Sequence, residues 1–199
     1  MSKPLSLAVF ISGGGTTLKN LITKRDQGLL DVDFGLVISS TPKAAGLRIA
    51  EAAGIASLVV EKRLFAGDSG GYSRAMFQPC RDRGIELVVM GGFLKHVLIP
   101  DDFEGRVVNI HPSLIPAFCG EGMYGLRVHQ AAIDFGVRVS GCTVHFVDNH
   151  YDNGPIILQR CCEVLPKDTA ESLQARVFEL ECQALPDAIR QISSALKNR

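Results

Sequence analysis

The stretch VVNIHPSLIP places an Asn and a His two residues apart at the end of an apolar run. Side chains of an extended segment alternate between its two faces, so Asn109 and His111 share one face and Ile110 lies on the other. Pro112 prevents any regular continuation. An amide and an imidazole on one face form either a buried hydrogen-bonded pair or a pair of donors aimed at a substrate. The pattern alone leaves both interpretations open.

A second polar cluster, HFVDNHYDNGP, carries His145, Asp148, His150 and Asp152 within eight residues. A metal site is one interpretation, but none of these spacings is that of a known zinc motif. Asn and Asp before Gly are typical of turns. The sequence therefore favours a solvated turn for Asp148 and His150, and we predict no metal site.

The loop SGGGTTL lies between an apolar strand-like run and a helical pattern. Gly13, Gly14, Gly15 and Thr16 would let the backbone approach a ligand closely, and a helix start adds oriented N–H groups. This arrangement suits a phosphate, although the loop has neither the Walker A residues nor the third glycine of the dinucleotide fingerprint. The alternative is a glycine-rich tight turn.

A third loop, GGFLKHVLIP, follows a strongly apolar strand-like run. It contains Phe93, Leu94, Lys95, His96 and Val97 at the place where open α/β sheets bind their ligands. Packing into the core is the favoured explanation for its apolar side chains. Binding of a flat, hydrophobic ring system is the alternative.

Strands and helices alternate through the first half of the chain. The predicted strands are LSLAVFI, VDFGLVISS, IASLVV and IELVVMGGF. The predicted helices are TTLKNLITKRDQG, PKAAGLRIAEAAG from Pro42 to Gly54, and GYSRAMFQPCRDRG. Near-continuous apolar strands in this alternation predict an α/β, Rossmann-like fold, with a mostly parallel sheet and helices on both faces.

The pattern changes after about residue 105. VVNI is a short strand and LRVHQAAIDFG a helix, and the runs VSGCTVHFVD and GPIILQRCCEVL predict an antiparallel excursion. A long C-terminal helix should follow, capped by Asp168 or Thr169 and kinked or interrupted at Pro186. Without a repeat or a linker, residues 1–199 are interpreted as a single domain.

The composition argues against several classes of protein. Lys plus Arg and Asp plus Glu both number 21, and no basic stripe is present, so nucleic acid and anionic membranes are not expected partners. The first apolar run is too short for a membrane span or a signal peptide. The six cysteines include no CxxC pair, which favours buried thiols in a reducing, cytoplasmic location.

Taken together, these motifs resemble those of the folate-dependent formyltransferases, and the resemblance covers essentially the whole chain. It rests on VFISGGGTTLKNLI, LVVMGGFLK, VVNIHPSLIPAF, VSGCTVHFVDNHYDNGPIILQ and ARVFELECQALP. It implies a nucleotide-binding half at about 1–105 and a catalytic, folate-binding half at about 106–199. The co-substrate would be 10-formyltetrahydrofolate, without a metal, and a homodimer is a possible assembly.

The resemblance also implies roles for individual residues. Asn109, His111 and Asp152 would form the catalytic centre, and the loop from Gly13 to Thr16 would bind the substrate phosphate. The loop from Phe93 to Val97 would take the pterin, and Glu181 would meet the amino end of the substrate. The loop EGMYGLRV is longer than is common in the family, and no basic residue is firmly assigned to the phosphate.

The chemistry of these residues suits formyl transfer. Asn109 and His111 can donate hydrogen bonds to a developing oxyanion. Asp152 would orient His111, raise the pKa of its imidazole by opposite charge and relay protons through water.

The expected reaction is transfer of the formyl group from 10-formyltetrahydrofolate to the amine of glycinamide ribonucleotide, in de novo purine synthesis. A formyltetrahydrofolate deformylase is the nearest rival and is discounted, because the chain starts directly at its first strand. Formylation of methionyl-tRNA should need a further basic domain, and formylation of a nucleotide sugar remains an alternative. A non-catalytic nucleotide-binding module would not explain Asn109, His111 and Asp152 together.

Overall fold

The computed structural model describes residues 3–197 and divides the chain into two compact units. The first unit is Met1–Val108 and the second is Asn109–Arg199. The division lies close to residue 105, where the sequence pattern changes. The interpretation as one domain stays a prediction.

The first unit is built on four parallel strands. They are β1 (Leu5–Ile11), β2 (Val32–Ser39), β3 (Ser57–Val59) and β4 (Leu87–Met90), in the order β3-β2-β1-β4. Its α-helices are α1 (Thr16–Asp26), α2 (Gly46–Ala52) and α3 (Ser69–Asp82), and 3₁₀ turns lie at Lys62–Phe65 and Asp101–Phe103. All seven residues of β1 are buried, as expected of a strand that is covered on both faces.

The second unit contains the antiparallel part of the fold. Its elements are β5 (Val107–His111, which crosses the boundary), α4 (Leu126–Phe135), β6 (Val139–Phe146), β7 (Ile156–Glu163) and α5 (Ala170–Lys197). β6 pairs with β7 in antiparallel fashion, and α5 packs on both strands. The fold class is therefore confirmed, including the antiparallel excursion and the long C-terminal helix.

Some predicted boundaries were wrong. α2 begins at Gly46 rather than at Pro42, because the Ser39 and Thr41 side chains bind nearby backbone groups and hold this segment in a turn. β3 has three residues rather than six.

Pro186 does not interrupt α5, which runs through it without a break. The proline is buried on the apolar side of the helix, beside Leu185 and Ile189. Packing of this side outweighs the loss of one helical hydrogen bond. At the start of the helix Thr169 is the cap, since its Oγ1 accepts from the Ser172 N–H while its own N–H donates to Ser172 Oγ.

Within residues 3–197 no helix is long and apolar enough to cross a membrane.

Candidate active site

Asn109 on β5 contacts His145 on the neighbouring strand β6. The Asn109 Nδ2 atom lies 3.3 Å from His145 Nε2, and His145 Nδ1 lies 2.8 Å from the carbonyl oxygen of Phe146. A carbonyl can only accept, so Nδ1 of His145 carries the hydrogen and Nε2 accepts from the Asn109 amide. His145 thereby fixes which end of the Asn109 amide faces it, leaving one amide N–H available for a ligand.

Asp152 lies in the turn between β6 and β7 and brings its carboxylate to both histidines. Oδ2 accepts from the Gly120 N–H at 2.9 Å and lies 3.5 Å from His111 Nδ1. Oδ1 lies 3.7 Å from His145 Nε2. Asp152 has a φ of 51°, a conformation that Asp tolerates better than most residues. Two residues further on, a glycine is needed at position 154, because a Cβ there would meet the Phe146 carbonyl oxygen at 1.9 Å.

His111 is buried, with 4% of its surface exposed, and both ring nitrogens face acceptors. Nε2 lies 2.9 Å from the Phe118 carbonyl oxygen. Since that oxygen only accepts, Nε2 carries the hydrogen of the neutral ring. The lone pair of Nδ1 then faces Asp152. The predicted proximity of Asn109, His111 and Asp152 is therefore present in the structure.

Burial sets the charge of this cluster. It lowers the pKa of His111 below its ordinary value, although Asp152 and the Phe118 carbonyl act in the opposite direction. The expectation that Asp152 would give His111 a raised pKa was wrong, because the loss of solvent outweighs the charge. For Asp152 burial also opposes ionisation, but the two histidines and the Gly120 N–H outweigh it, and its pKa is lowered. Both directions favour a neutral imidazole beside a carboxylate at neutral pH.

A buried hydroxyl anchors the segment that follows His111. Thr143 Oγ1 donates to the Ser113 carbonyl at 2.7 Å and accepts from the Ile115 N–H at 3.0 Å. It also accepts from Gln159 Nε2 at 2.9 Å, across the β6–β7 pair. All of its hydrogen-bonding capacity is used, so Thr143 fixes the path of the chain from β5 towards Phe118.

Asp148 closes the β6–β7 turn with two hydrogen bonds. Asp148 Oδ1 accepts from the His150 N–H at 2.7 Å and Oδ2 accepts from Asn153 Nδ2 at 2.9 Å. His150 has an 80% exposed side chain. The prediction of a solvated turn is confirmed. Within residues 3–197 the structure contains no group of three or more side chains that could hold a metal ion.

The glycine loop lies in the first unit, between β1 and α1. Gly13 and Gly14 are exposed, and a Cβ at either would meet nothing within 4 Å. Gly15 caps α1 with φ 76° and packs against α2, where an added Cβ would lie 2.5 Å from the Gly46 Cα. The first N–H groups of α1, from Thr16 onwards, have no intrahelical acceptor. The loop therefore presents exposed backbone N–H donors and is anchored by the packing of Gly15 against α2.

The loop from Phe93 to Val97 is attached to the glycine loop through Ser12. Ser12 donates its N–H to the Gly92 carbonyl at 3.2 Å, and its Oγ accepts from the Leu94 N–H at 2.9 Å. Phe93 is half-buried against Phe10, with ring centroids 5.6 Å apart.

Burial divides the side chains of this second loop. Leu94 and Lys95 are exposed, His96 is half-buried, and Val97 is buried. Packing into the core is confirmed for Val97, and binding of a flat ring at the exposed Leu94 stays a prediction.

Glu181 lies on α5 in the second unit, half-buried. Burial raises the pKa of its carboxyl to about 7. In the part of the chain that the structure describes, this carboxyl has no hydrogen bond or ion pair. No hydrogen bond or ion pair joins Glu181 to the Asn109 cluster there, so its predicted substrate role stays a prediction.

Sequence reasoning missed several members of the cluster. His145 was considered only as a metal ligand, although its period-two relation to Thr143 places both on one strand face and could have revealed it. The Phe118 carbonyl and the Gly120 N–H are backbone groups, so residue types in the sequence could not predict them.

Comparisons with known proteins identify the family of the chain. The model of the family described as formyl transferase matches residues 5–189. A chloroplastic phosphoribosylglycinamide formyltransferase of Vigna unguiculata is 38% identical over 191 residues, which are 94% of this chain but 60% of that protein. The chain thus spans less than two thirds of the length of that relative. A phosphoribosylglycinamide formyltransferase of Bacillus subtilis is 34% identical and 96% of each chain is covered.

Solved structures give the same result. Glycinamide ribonucleotide transformylase 1 from Symbiobacterium toebii superposes with a TM-score of 0.90 and is 34% identical, with 98% of this chain and 90% of that one covered. A formyltetrahydrofolate deformylase from Pseudomonas putida also superposes, with a TM-score of 0.79 and 28% identity, covering 94% of this chain and 64% of that one. With the family model matching nearly the full length, this chain belongs to the formyl transferase family.

Proposed function

We propose that this chain transfers the formyl group of 10-formyltetrahydrofolate to the amine of glycinamide ribonucleotide, in purine biosynthesis. The observation that carries the proposal is a buried His111 whose Nδ1 lies 3.5 Å from the Asp152 carboxylate, in one cluster with Asn109, whose amide contacts His145. In this reaction a bond forms between the amine nitrogen and the formyl carbon, and the bond from that carbon to N10 breaks. One proton must pass from the amine to N10.

His111 Nδ1 is the atom that takes the proton in this proposal. It is unprotonated in the neutral ring, because Nε2 carries the hydrogen that binds the Phe118 carbonyl. A lowered pKa keeps the ring neutral and available as a base at neutral pH. Asp152 stabilises the imidazolium that results, since its carboxylate lies 3.5 Å from Nδ1. His111 then returns the proton towards N10.

Asn109 stabilises the negative charge that develops on the formyl oxygen. Its amide has two N–H groups, and only one faces His145. Because the orientation of the amide is fixed before a ligand binds, its other N–H acts as a preorganised donor. Removing such a donor typically costs ~10²–10³-fold in kcat.

The binding roles of the other residues belong to the same proposal. The exposed donors around Gly13, Gly14, Gly15 and Thr16 suit the substrate phosphate, a common ligand of helix N-termini. The half-buried ring of Phe93 and the exposed Leu94 suit the flat pterin of the donor. Lys95 and His96 are their polar neighbours, and the buried Val97 anchors the loop in the core.

The unpaired Glu181 suits the amino end of the acceptor, because a cationic or hydrogen-bonding partner would offset the cost of burying its charge. A cytoplasmic location and a homodimer remain predictions.

The deformylase alternative shares the chemistry of the cluster but delivers water instead of an amine. The two are separated by incubating the protein with 10-formyltetrahydrofolate, with and without glycinamide ribonucleotide. Formylated ribonucleotide formed only when the amine is present supports the transferase. Equal release of formate in both samples overturns it, and turnover with an aminosugar nucleotide but not with glycinamide ribonucleotide assigns another acceptor.

A further inference from the structure

Phe118 has a backbone conformation that a bulky residue rarely adopts. Its φ is 51°, in the left-handed region, and it carries the carbonyl that accepts from His111 Nε2 at 2.9 Å. Such a conformation persists only where the surroundings hold it. Ser113 Oγ restrains the peptide before Phe118, since it donates to the Ala117 carbonyl at 2.6 Å and lies 3.3 Å from the Phe118 carbonyl.

The aromatic ring of Phe118 is held by a residue outside the catalytic cluster. Phe135, at the last position of α4, packs edge-to-face against it, with ring centroids 5.9 Å apart and an interplanar angle of 73°. Phe135 is 80% exposed. An aromatic side chain this exposed contributes little to a core, and the aromatic contact that the described structure shows for it is the one with Phe118.

We propose that Phe135 is a positioning residue for His111, acting through Phe118. The ring contact holds Phe118 in its strained conformation, and the Phe118 carbonyl thereby fixes the imidazole. The contribution of Phe135 to catalysis rests on the proposed function, whereas its effect on the His111 imidazole does not.

The consequence concerns the tautomer of His111. Two acceptors compete for the single hydrogen of the neutral ring, the Phe118 carbonyl at Nε2 and the Asp152 carboxylate at Nδ1. When the carbonyl holds Nε2–H, Nδ1 is a base. If the carbonyl moves away, the hydrogen shifts to Nδ1, where the carboxylate accepts it, and the lone pair moves to Nε2. The unprotonated nitrogen then lies at Nε2, and Nδ1 can no longer take the proton, without any change of residue in the cluster.

The test is the ¹⁵N NMR spectrum of His111 in Phe135→Ala, because the two ring nitrogens of each tautomer have distinct shifts. Phe135→Ala should move His111 from the Nε2–H towards the Nδ1–H tautomer. The kcat should fall about tenfold, less than the ~10²–10⁴-fold loss of a whole acid–base group, with little change in the KM of either substrate. Phe135→Tyr keeps the ring and should restore both readouts.

Leu196→Ala, which removes another exposed apolar side chain of the same unit, is the matched control and should change neither readout. An unchanged His111 spectrum in Phe135→Ala overturns the proposal, even if kcat falls. A shifted spectrum in a protein that forms no formylated ribonucleotide keeps the positioning role and rejects the proposed function instead.

Discussion

The polar cluster of Asn109, His111, His145 and Asp152 and the glycine loop differ in burial. In the cluster, His111, His145 and Asp152 are almost fully enclosed and bind one another or nearby backbone groups. In the glycine loop, Gly13 and Gly14 are exposed and have open space around them. A buried cluster can tune protonation because solvent is absent, whereas an open backbone loop can only offer donors. Changes in the first should therefore alter turnover, and changes in the second should alter binding.

The largest effect is expected from His111→Ala. Loss of the proton-accepting Nδ1 should lower kcat by ~10²–10⁴-fold, while the affinity for the folate co-substrate stays nearly unchanged. Steady-state kinetics and calorimetric binding of the folate measure the two quantities. His150→Ala, in the exposed turn nearby, is the control and should leave kcat unaltered. If His111→Ala unfolds the protein, Asn109 and His111 act as a structural polar pair.

Substitutions of two neighbouring glycines, Gly14 and Gly15, should separate an effect on substrate binding from an effect on folding. Gly14→Val adds a side chain into open space, so the fold should survive while the KM for glycinamide ribonucleotide rises by roughly tenfold through crowding of the phosphate. Gly15→Ala should instead cost about 1–3 kcal/mol of folding stability, because of its φ of 76° and the 2.5 Å approach to Gly46. Thermal melts measure the loss of stability expected for Gly15→Ala, and KM values measure the weaker binding expected for Gly14→Val. An equal loss of folate affinity in Gly14→Val would contradict the phosphate assignment.

A smaller effect is expected from Glu181→Gln. The raised pKa of about 7 means that the folded state holds a proton that the unfolded state releases near pH 4.5, so stability falls as pH rises from about 4.5 to 7. Replacing the carboxyl should remove this loss and stabilise the protein above pH 7 by at most about 3 kcal/mol. The KM for the amine substrate should rise a few-fold. Denaturant melts at pH 5 and pH 8, with KM values, test both, and an unchanged KM would make Glu181 a structural residue.

The sequence was informative where local pattern decides the structure. Apolar runs located the strands of the parallel sheet, and the period-two relation of Asn109 to His111 placed both on one face of β5. An interruption of α5 at Pro186 was a wrong prediction, because the packing of this helix is not visible in a local pattern. The predicted direction of the His111 pKa shift was wrong for the same reason, since burial is a property of the whole unit. Backbone partners such as the Phe118 carbonyl could not be inferred from residue types.

The charge state of His111 beside Asp152 is tested most directly by an NMR titration of the His111 ring in the unsubstituted protein and in Asp152→Asn. Burial should hold the pKa of His111 below the ordinary value of about 6.5. It should fall further in Asp152→Asn, because the carboxylate that favours the imidazolium is gone, and turnover should fall with it. A His111 pKa above that value, or one that does not move in Asp152→Asn, would contradict a neutral base stabilised by Asp152.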